Sequence, residues 1–445
     1  MRVLTRPRDR IAVGSSLVLI ATSAAVGTWL NRHGYQMVLP RPPLIAYLDP
    51  HLGWGTPLAA ACVVLGLGLQ RVADRLPWRR LLAVGWLLCL SWLCSLALVD
   101  GLQRGWVSVL LNPNEYLHDL PRITSAHGFY ATFTSHILQG PDTWTTHVAG
   151  HPPLATLVFW LLARIGLAGG FWAGTLCILT SSLVSIALPV TLRELGAPAA
   201  ARRLVPLIAL FPGAVWMAVS ADGMFAGVAL TGLALGCLGA SRRRWWLGLL
   251  GGLVLGVAIS LSYGLLLFGL VVVVAMGLTI QRHRWRQVMP GWVVAAVAAL
   301  AVPAAQLAWG FNYLDALRLL RIRYYQGVAS DRPYWYFLFA DFGAWLVSCS
   351  PALAIGLVRA CSAVRLIGHN SAVAQCSALS LSAVLAVLLA DLSGLSKAET
   401  ERIWLAFGVV AFAGLALVRG RTAHWVLVLT TGTALLVNHL FDTGW

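Results

Sequence analysis

Apolar and polar positions fall in long alternating blocks rather than in the short periods of a soluble fold. Apolar stretches lie near 11–30, 55–70, 81–100, 151–168, 171–192, 203–219, 222–240, 244–262, 263–280, 289–309, 336–358, 372–391, 402–418 and 422–441. A helix of roughly 20 apolar residues crosses ~30 Å of hydrocarbon. The polar breaks are short except at 31–54, 101–150 and 310–335, with a smaller one at 392–401. The pattern predicts an all-α polytopic membrane bundle whose chemistry sits on these loops.

Arginines orient the bundle. Arg2, Arg6, Arg8 and Arg10 precede the first segment, and Arg71, Arg75, Arg79 and Arg80 follow the second. Later clusters are Arg193/Arg202/Arg203, Arg242–Arg244, Arg282/Arg284/Arg286, Arg359/Arg365 and Arg419/Arg421. Basic loops face the cytoplasm. If 151–168 crosses fully, every later cluster falls outside. If it enters and leaves on one side, all fall inside, with 21 of the 32 basic residues there and only Asp9, Asp74 and Glu194 of the 16 acids. The second choice is adopted. It predicts 13 crossings in the plasma membrane, a cytoplasmic N-terminus and an extracytoplasmic C-terminus; a missed crossing elsewhere serves equally well. Residues 1–100 carry the first three helices. Residues 101–335 form a core with the outer loops 101–150 and 310–335, and 336–445 hold the last helices.

Composition narrows the function. Of 445 residues 59% are apolar and 11% charged, against about 25% charged in soluble domains, which excludes a soluble enzyme and a disordered chain. A net charge of +16 would suggest nucleic acid in a soluble protein; here arginines pinning loops account for it, and no nucleic acid is expected. The eight cysteines lie in or beside apolar segments without a CxxC pair and read as small core residues. No convincing cleavage site follows the first apolar run, which is read as a retained helix. No GxxxxGK[ST] motif appears.

Five constellations carry candidate chemistry, all on the expected outer face. In Asn112–Arg122, Glu115 and Asp119 are four apart, so a helical turn would put them on one face, suited to deprotonating a hydroxyl or ordering a metal. In His147–Leu154, two prolines start a helix whose N-terminus, with His151, suits a phosphate. In Ser220–Gly223, Asp222 reads either as an N-cap or as a second acidic site. In 311–335, Arg318 and Arg321 share a helical face with Tyr324 and Tyr325 following, which fits an anionic head group or an aromatic belt. In Lys397–Arg402, the sole lysine precedes Glu399, Glu401 and Arg402. An arginine at a helix start opposes the dipole and suggests a charged partner. An ordinary solvated loop or helix start remains the alternative for each.

The order of these motifs resembles the GT-C glycosyltransferases, particularly the branch of protein O-mannosyltransferases and the lipid A aminoarabinose transferase. More closely, the chain resembles a group of actinobacterial integral membrane proteins carrying EYLxD, GHPP, SADxxFAG and ERIW strings. The resemblance spans roughly 101–402. It implies a polyprenyl-phosphate sugar donor, with mannose or a pentose as the sugar, and a glycan, lipid or protein acceptor. It implies Glu115 or Asp119 as catalytic base; the family's usual acidic residue before that position is Asn114 here. His151 stands where the family has lysine before two prolines, Asp222 matches its second-loop acid, and Lys397 and Arg402 match its late basic pair. Donor-phosphate contacts would thus come from His151, Asp222, Lys397, Arg402, Arg318, Arg321 and Tyr324. A divalent metal, Mg²⁺ or Mn²⁺, would sit on Glu115, Asp119 and Asp222 if anywhere; some branches need none. The implied reaction is one inverting displacement at the anomeric carbon, with phosphate leaving. A transporter or flippase of lipid-linked sugars is the alternative. It requires ionisable residues at mid-membrane, for which Asp341 and Arg164 are the candidates.

Overall fold

The computed structural model describes residues 7–444; Arg2 and Arg6, counted above toward the cytoplasmic face, lie outside the described residues. In chain order the helices used below are α1 (Pro7–Arg32), α2 (Gly55–Val72), α3 (Trp78–Ala97), α4 (Pro153–Arg164), α5 (Gly170–Glu194), α6 (Pro198–Ala209), α7 (Ala221–Ser241), α8 (Trp245–Leu261), α9 (Tyr263–Arg282), α10 (Trp285–Ala308), α11 (Tyr313–Gln326), α12 (Tyr334–Cys349), α13 (Leu353–Ser362), α14 (Ala372–Leu392), α15 (Thr400–Ile403), α16 (Leu405–Leu417) and α17 (Arg421–Leu440). The only sheet among the described residues is an antiparallel ladder of β1 (Tyr47–Leu48) and β2 (Phe441–Asp442), which pairs Tyr47 with Asp442 and Leu48 with Phe441.

The chain is an all-α polytopic membrane bundle. Nine described helices are long and apolar enough to cross a membrane, or ten if α12 and α13 count as one span bent by 110°. The thirteen expected crossings are therefore not all present as full-length spans. Segment 151–168 yields only the 12 residues of α4, and the apolar stretches 244–262 and 402–418 likewise give helices of 10–17 residues. Proline and glycine break two further segments. Residues 203–219 are broken after Ala209 by Phe211-Pro212-Gly213, and α12 ends at Ser350-Pro351, where Ser350 adopts φ +67° and proline cannot donate to the preceding turn.

Burial follows the membrane solvent. Val64, Val297 and Leu300 are each more than 60% exposed on helix faces, a cost in water and none in hydrocarbon. The inner helices pack through small residues. A side chain at Gly227 would collide with the Thr180 carbonyl, and one at Gly252 with that of Ala295, so α7–α5 and α8–α10 approach backbone to backbone.

The basic clusters gather at one end. Arg193 and Arg202 lie over the Trp78 ring, and Arg202 also donates to the Ala73 and Leu76 carbonyls. Glu194 pairs with Arg242 at 2.7 Å, Arg282 closes on Gly196, and Arg203 reaches the Ala416 carbonyl. Asp9 pairs with Arg359, so two of the three acids assigned to that face serve its arginines. The loops bearing the five constellations emerge elsewhere and converge on one another.

Candidate active site

The first loop supplies Glu115, the residue before a 3₁₀ stretch over Tyr116–Arg122. That geometry replaces the α-helical turn expected from the four-residue spacing. Glu115 and Asp119 consequently take different partners. Glu115 is 2% exposed and lies 2.7 Å from His147 Nδ1. Asp119 is also buried, but accepts from Arg122 at 2.9 Å and from the Thr145 N–H at 2.8 Å. Arg122 stacks 4.1 Å over Trp144 and donates to the Thr143 and Asp142 carbonyls. Asp119 and Arg122 thereby fix the strand of loop that leads into the one-turn helix Thr146–Gly150, which carries His147. Asn114 fastens the same helix from its other side, accepting from the His147 N–H and the Thr146 hydroxyl.

His151 follows one turn after His147, just before Pro152 and the start of α4 at Pro153. Its Nδ1 lies 2.9 Å from the His147 carbonyl and 3.0 Å from the Tyr116 hydroxyl. Burial pushes its pKa down despite the pull of Asp222. Asp222 is not the helix cap. Ser220 caps α7, its Oγ accepting from the Gly223 N–H at 3.1 Å, and the Asp222 carboxylate is left to meet Arg402 at 3.1 Å.

Arg402 joins the group. It is 5% exposed and donates through Nη2 to Glu399 at 2.6 Å and toward His147 Nε2 at 3.4 Å. An arginine can only donate, so His147 Nε2 accepts, which puts the ring proton on Nδ1, the nitrogen 2.7 Å from the Glu115 carboxylate. The dipole argument for Arg402 fails, because α15 has only four residues and Arg402 lies in its last turn. What presents it is the turn before, where Ala398 and Glu399 take φ of +74° and +60°. Such left-handed residues without glycine persist only where surroundings over-determine them. Here the Ala398 N–H is held by Asp341 and the Thr400 hydroxyl by the Asp341 carbonyl.

Two carboxylates thus touch one guanidinium, and a third, Glu115, is linked to it through His147. Burial alone would raise Glu115, but His147, Arg402 and His151 bring it below the ordinary carboxylate range. Glu399 behaves likewise under Arg402 and His147. Burial opposes the charge on Arg402, yet Asp222, Glu399 and Glu115 raise its pKa. Glu401, beside it, is 1% exposed with Oε2 lacking a hydrogen-bond partner, and burial lifts it to about 7.

The remaining expected residues sit apart from this network. Lys397 turns its Nζ to the Ala329 and Arg332 carbonyls and pins the loop after α11. Tyr324 binds the Lys397 backbone N–H through its hydroxyl. Arg318 and Arg321 lie exposed on α11, Arg318 pairing with Asp315. Among the described residues no three of His, Cys, Asp and Glu converge closely enough to hold a metal ion; the proposed trio fails because Asp119 is engaged by Arg122. Two members were absent from the expected set, His147 and Glu399. Their signals were the four-residue step to His151 and the three-residue step to Arg402.

No family model matches the chain, and no curated protein matches it. Among solved structures it is similar to ArnT from Cupriavidus metallidurans bound to undecaprenyl phosphate, at 18% identity and a TM-score of 0.47, over 78% of this chain. The chain covers 63% of that protein's length.

Proposed function

We propose that this protein is a membrane glycosyltransferase that moves a sugar, mannose or a pentose, from a polyprenyl-phosphate donor to an acceptor hydroxyl on the extracytoplasmic face. The observation that carries the reading is the convergence of Glu115, His147, Asp222, Glu399 and Arg402 from separate loops into one buried cluster. Glu115 is the base. It is ionised at neutral pH, and His147 behind it holds the carboxylate in place at 2.7 Å. Arg402 is the phosphate ligand. Glu399 is its most exposed partner, at 29% of the side chain, and gives way when the donor phosphate arrives. Negative charge growing on the departing phosphate is stabilised by the guanidinium in a site with little water. His151 and Asp222 orient the cluster, Asp119 positions its loop, and Lys397, Arg318, Arg321 and Tyr324 shape the donor's approach. The basic end faces the cytoplasm in this reading.

Transport has less support. Asp341 is occupied in holding the Ala398 and Thr400 backbone turn, and Arg164 is exposed over Trp160 at 5.3 Å.

The test is transfer of radiolabel from polyprenyl-phosphate mannose or arabinose in isolated membranes. Wild type should label an acceptor, and Glu115→Gln should lower the rate by about 10²–10⁴-fold, the usual contribution of a general base. Asp222→Asn should reduce it as well. Label that only changes leaflet, or a Glu115→Gln variant as active as wild type, would sink the assignment.

A further inference from the structure

A cavity of about 760 Å³ opens along α1, between it, the α12–α13 bend and the outer part of α17. Its depth is apolar, with Leu17, Ile20, Val347, Pro351, Leu436 and Val437 among its walls. Leu17 and Leu436 are 50% and 59% exposed, so the cavity opens sideways toward the bilayer. Its other end is cationic. Arg32 closes α1 and Arg41 stands in the loop before Pro42-Pro43; both are exposed, and neither makes an ion pair among the described residues. No carboxylate lines the cavity. From Leu17 to Arg32 is fifteen residues, or about 22 Å of helix at 1.5 Å each, most of the depth of a ~30 Å hydrocarbon core.

That distribution is the shape of an amphiphile. A chain fills the apolar length and one anionic group meets two guanidinia at the interface. A zwitterionic head would bring an ammonium to a mouth that offers it no carboxylate. We infer that the groove between α1 and α17 is a binding site for an anionic glycerophospholipid, its acyl chain along α1 and its phosphate between Arg32 and Arg41. Residues 40–44 form one wall, and the backbone of Ile45, next in the chain, lies against Glu401, the neighbour of Arg402. The lipid therefore buttresses the loop behind the candidate active site without taking part in the transfer, and the inference stands whether or not the transferase reading does.

The experiment uses the full chain, purified in neutral detergent and freed of lipid. Affinity is read by native mass spectrometry for phosphatidylglycerol, for phosphatidylcholine of the same chains, for a long-chain polyprenyl phosphate and for inorganic phosphate. Phosphatidylglycerol should bind preferentially. Arg32→Gln with Arg41→Gln should weaken it about 30-fold, the effect of losing two interfacial cations, without changing the melting temperature of the lipid-free protein. Ala24→Trp, which fills the groove, should remove binding of both phospholipids. Equal affinity for the two phospholipids overturns the inference, as does unchanged binding in the double variant. Inorganic phosphate binding as tightly would show that no chain is recognised, and polyprenyl phosphate binding more tightly would give the groove to a different lipid.

Discussion

Arg402 shows how much one side chain can organise here. Its guanidinium touches Asp222, Glu399 and His147, and through His147 it reaches Glu115. Breaking a buried pair leaves uncompensated charge and costs about 3–5 kcal/mol. Arg402→Gln should therefore lower the thermal midpoint in detergent as well as activity. Arg402→Lys keeps the charge but not the planar fork, and should fold near normally while losing about 10²–10³ in transfer rate. A glutamine variant as stable as wild type would mean that the carboxylates do not depend on it. Glu401 gives a pH signature. Its pKa is about 7 in the fold against 4.5 for a free glutamate, so the folded state holds the proton longer. Stability from that proton is complete below pH ~4.5 and is lost as pH rises through about 7. Melting temperatures of wild type and Glu401→Gln, followed from pH 5 to 8, should diverge, the variant falling less. The sequence offered Arg402 as a candidate because of its motif. It could not offer His147 as a partner, since 255 residues separate the two and no local spacing encodes that meeting.

At the scale of elements, the helices were readable because hydrocarbon demands long apolar runs, and the loop geometry was not. The spacing of Glu115 and Asp119 suggested a shared face, whereas Pro121 and the 3₁₀ path of Tyr116–Arg122 divide them between a histidine and an arginine. Likewise the sequence left Asp222 as either a cap or a second acidic site, and Ser220 two residues earlier takes the capping role. These divisions separate two loss-of-function phenotypes. Asp119→Asn keeps one acceptor oxygen but weakens the pair with Arg122, loosening the loop that carries His147 without removing a reacting group. Its kcat should fall by about tenfold, the scale of one weakened charge-assisted contact, and Arg122→Gln should behave alike. The double variant should be no worse than either single one, because both break the same clamp. Additive losses, or a fall in Asp119→Asn as deep as in Glu115→Gln, would instead make Asp119 the base.

For the whole molecule, the unresolved choice in the sequence was one of parity. A single short segment, 151–168, decided whether every later arginine cluster shared a side with the first ones. Counting hydrophobic residues cannot settle it, since a re-entrant segment and a span have the same composition. Contacts do constrain it: Arg193 and Arg202 meet Trp78, Glu194 meets Arg242 and Arg359 meets Asp9, so clusters far apart in sequence occupy one end. Which compartment that end faces is a matter for chemical labelling, and the chain carries its own probe. Cys361, beside Arg359, is the exposed one among eight free cysteines, seven of which are buried or partly so. Trp54, at 86% exposure just before α2, marks the opposite side in the same reading. A membrane-impermeant maleimide should leave wild-type protein unlabelled in intact cells and label it in inverted vesicles. Trp54→Cys should become labelled in intact cells. Reaction of Cys361 from outside would invert the bundle and put Glu115 and Arg402 in the cytoplasm, where a donor presented at the extracytoplasmic surface could not reach them.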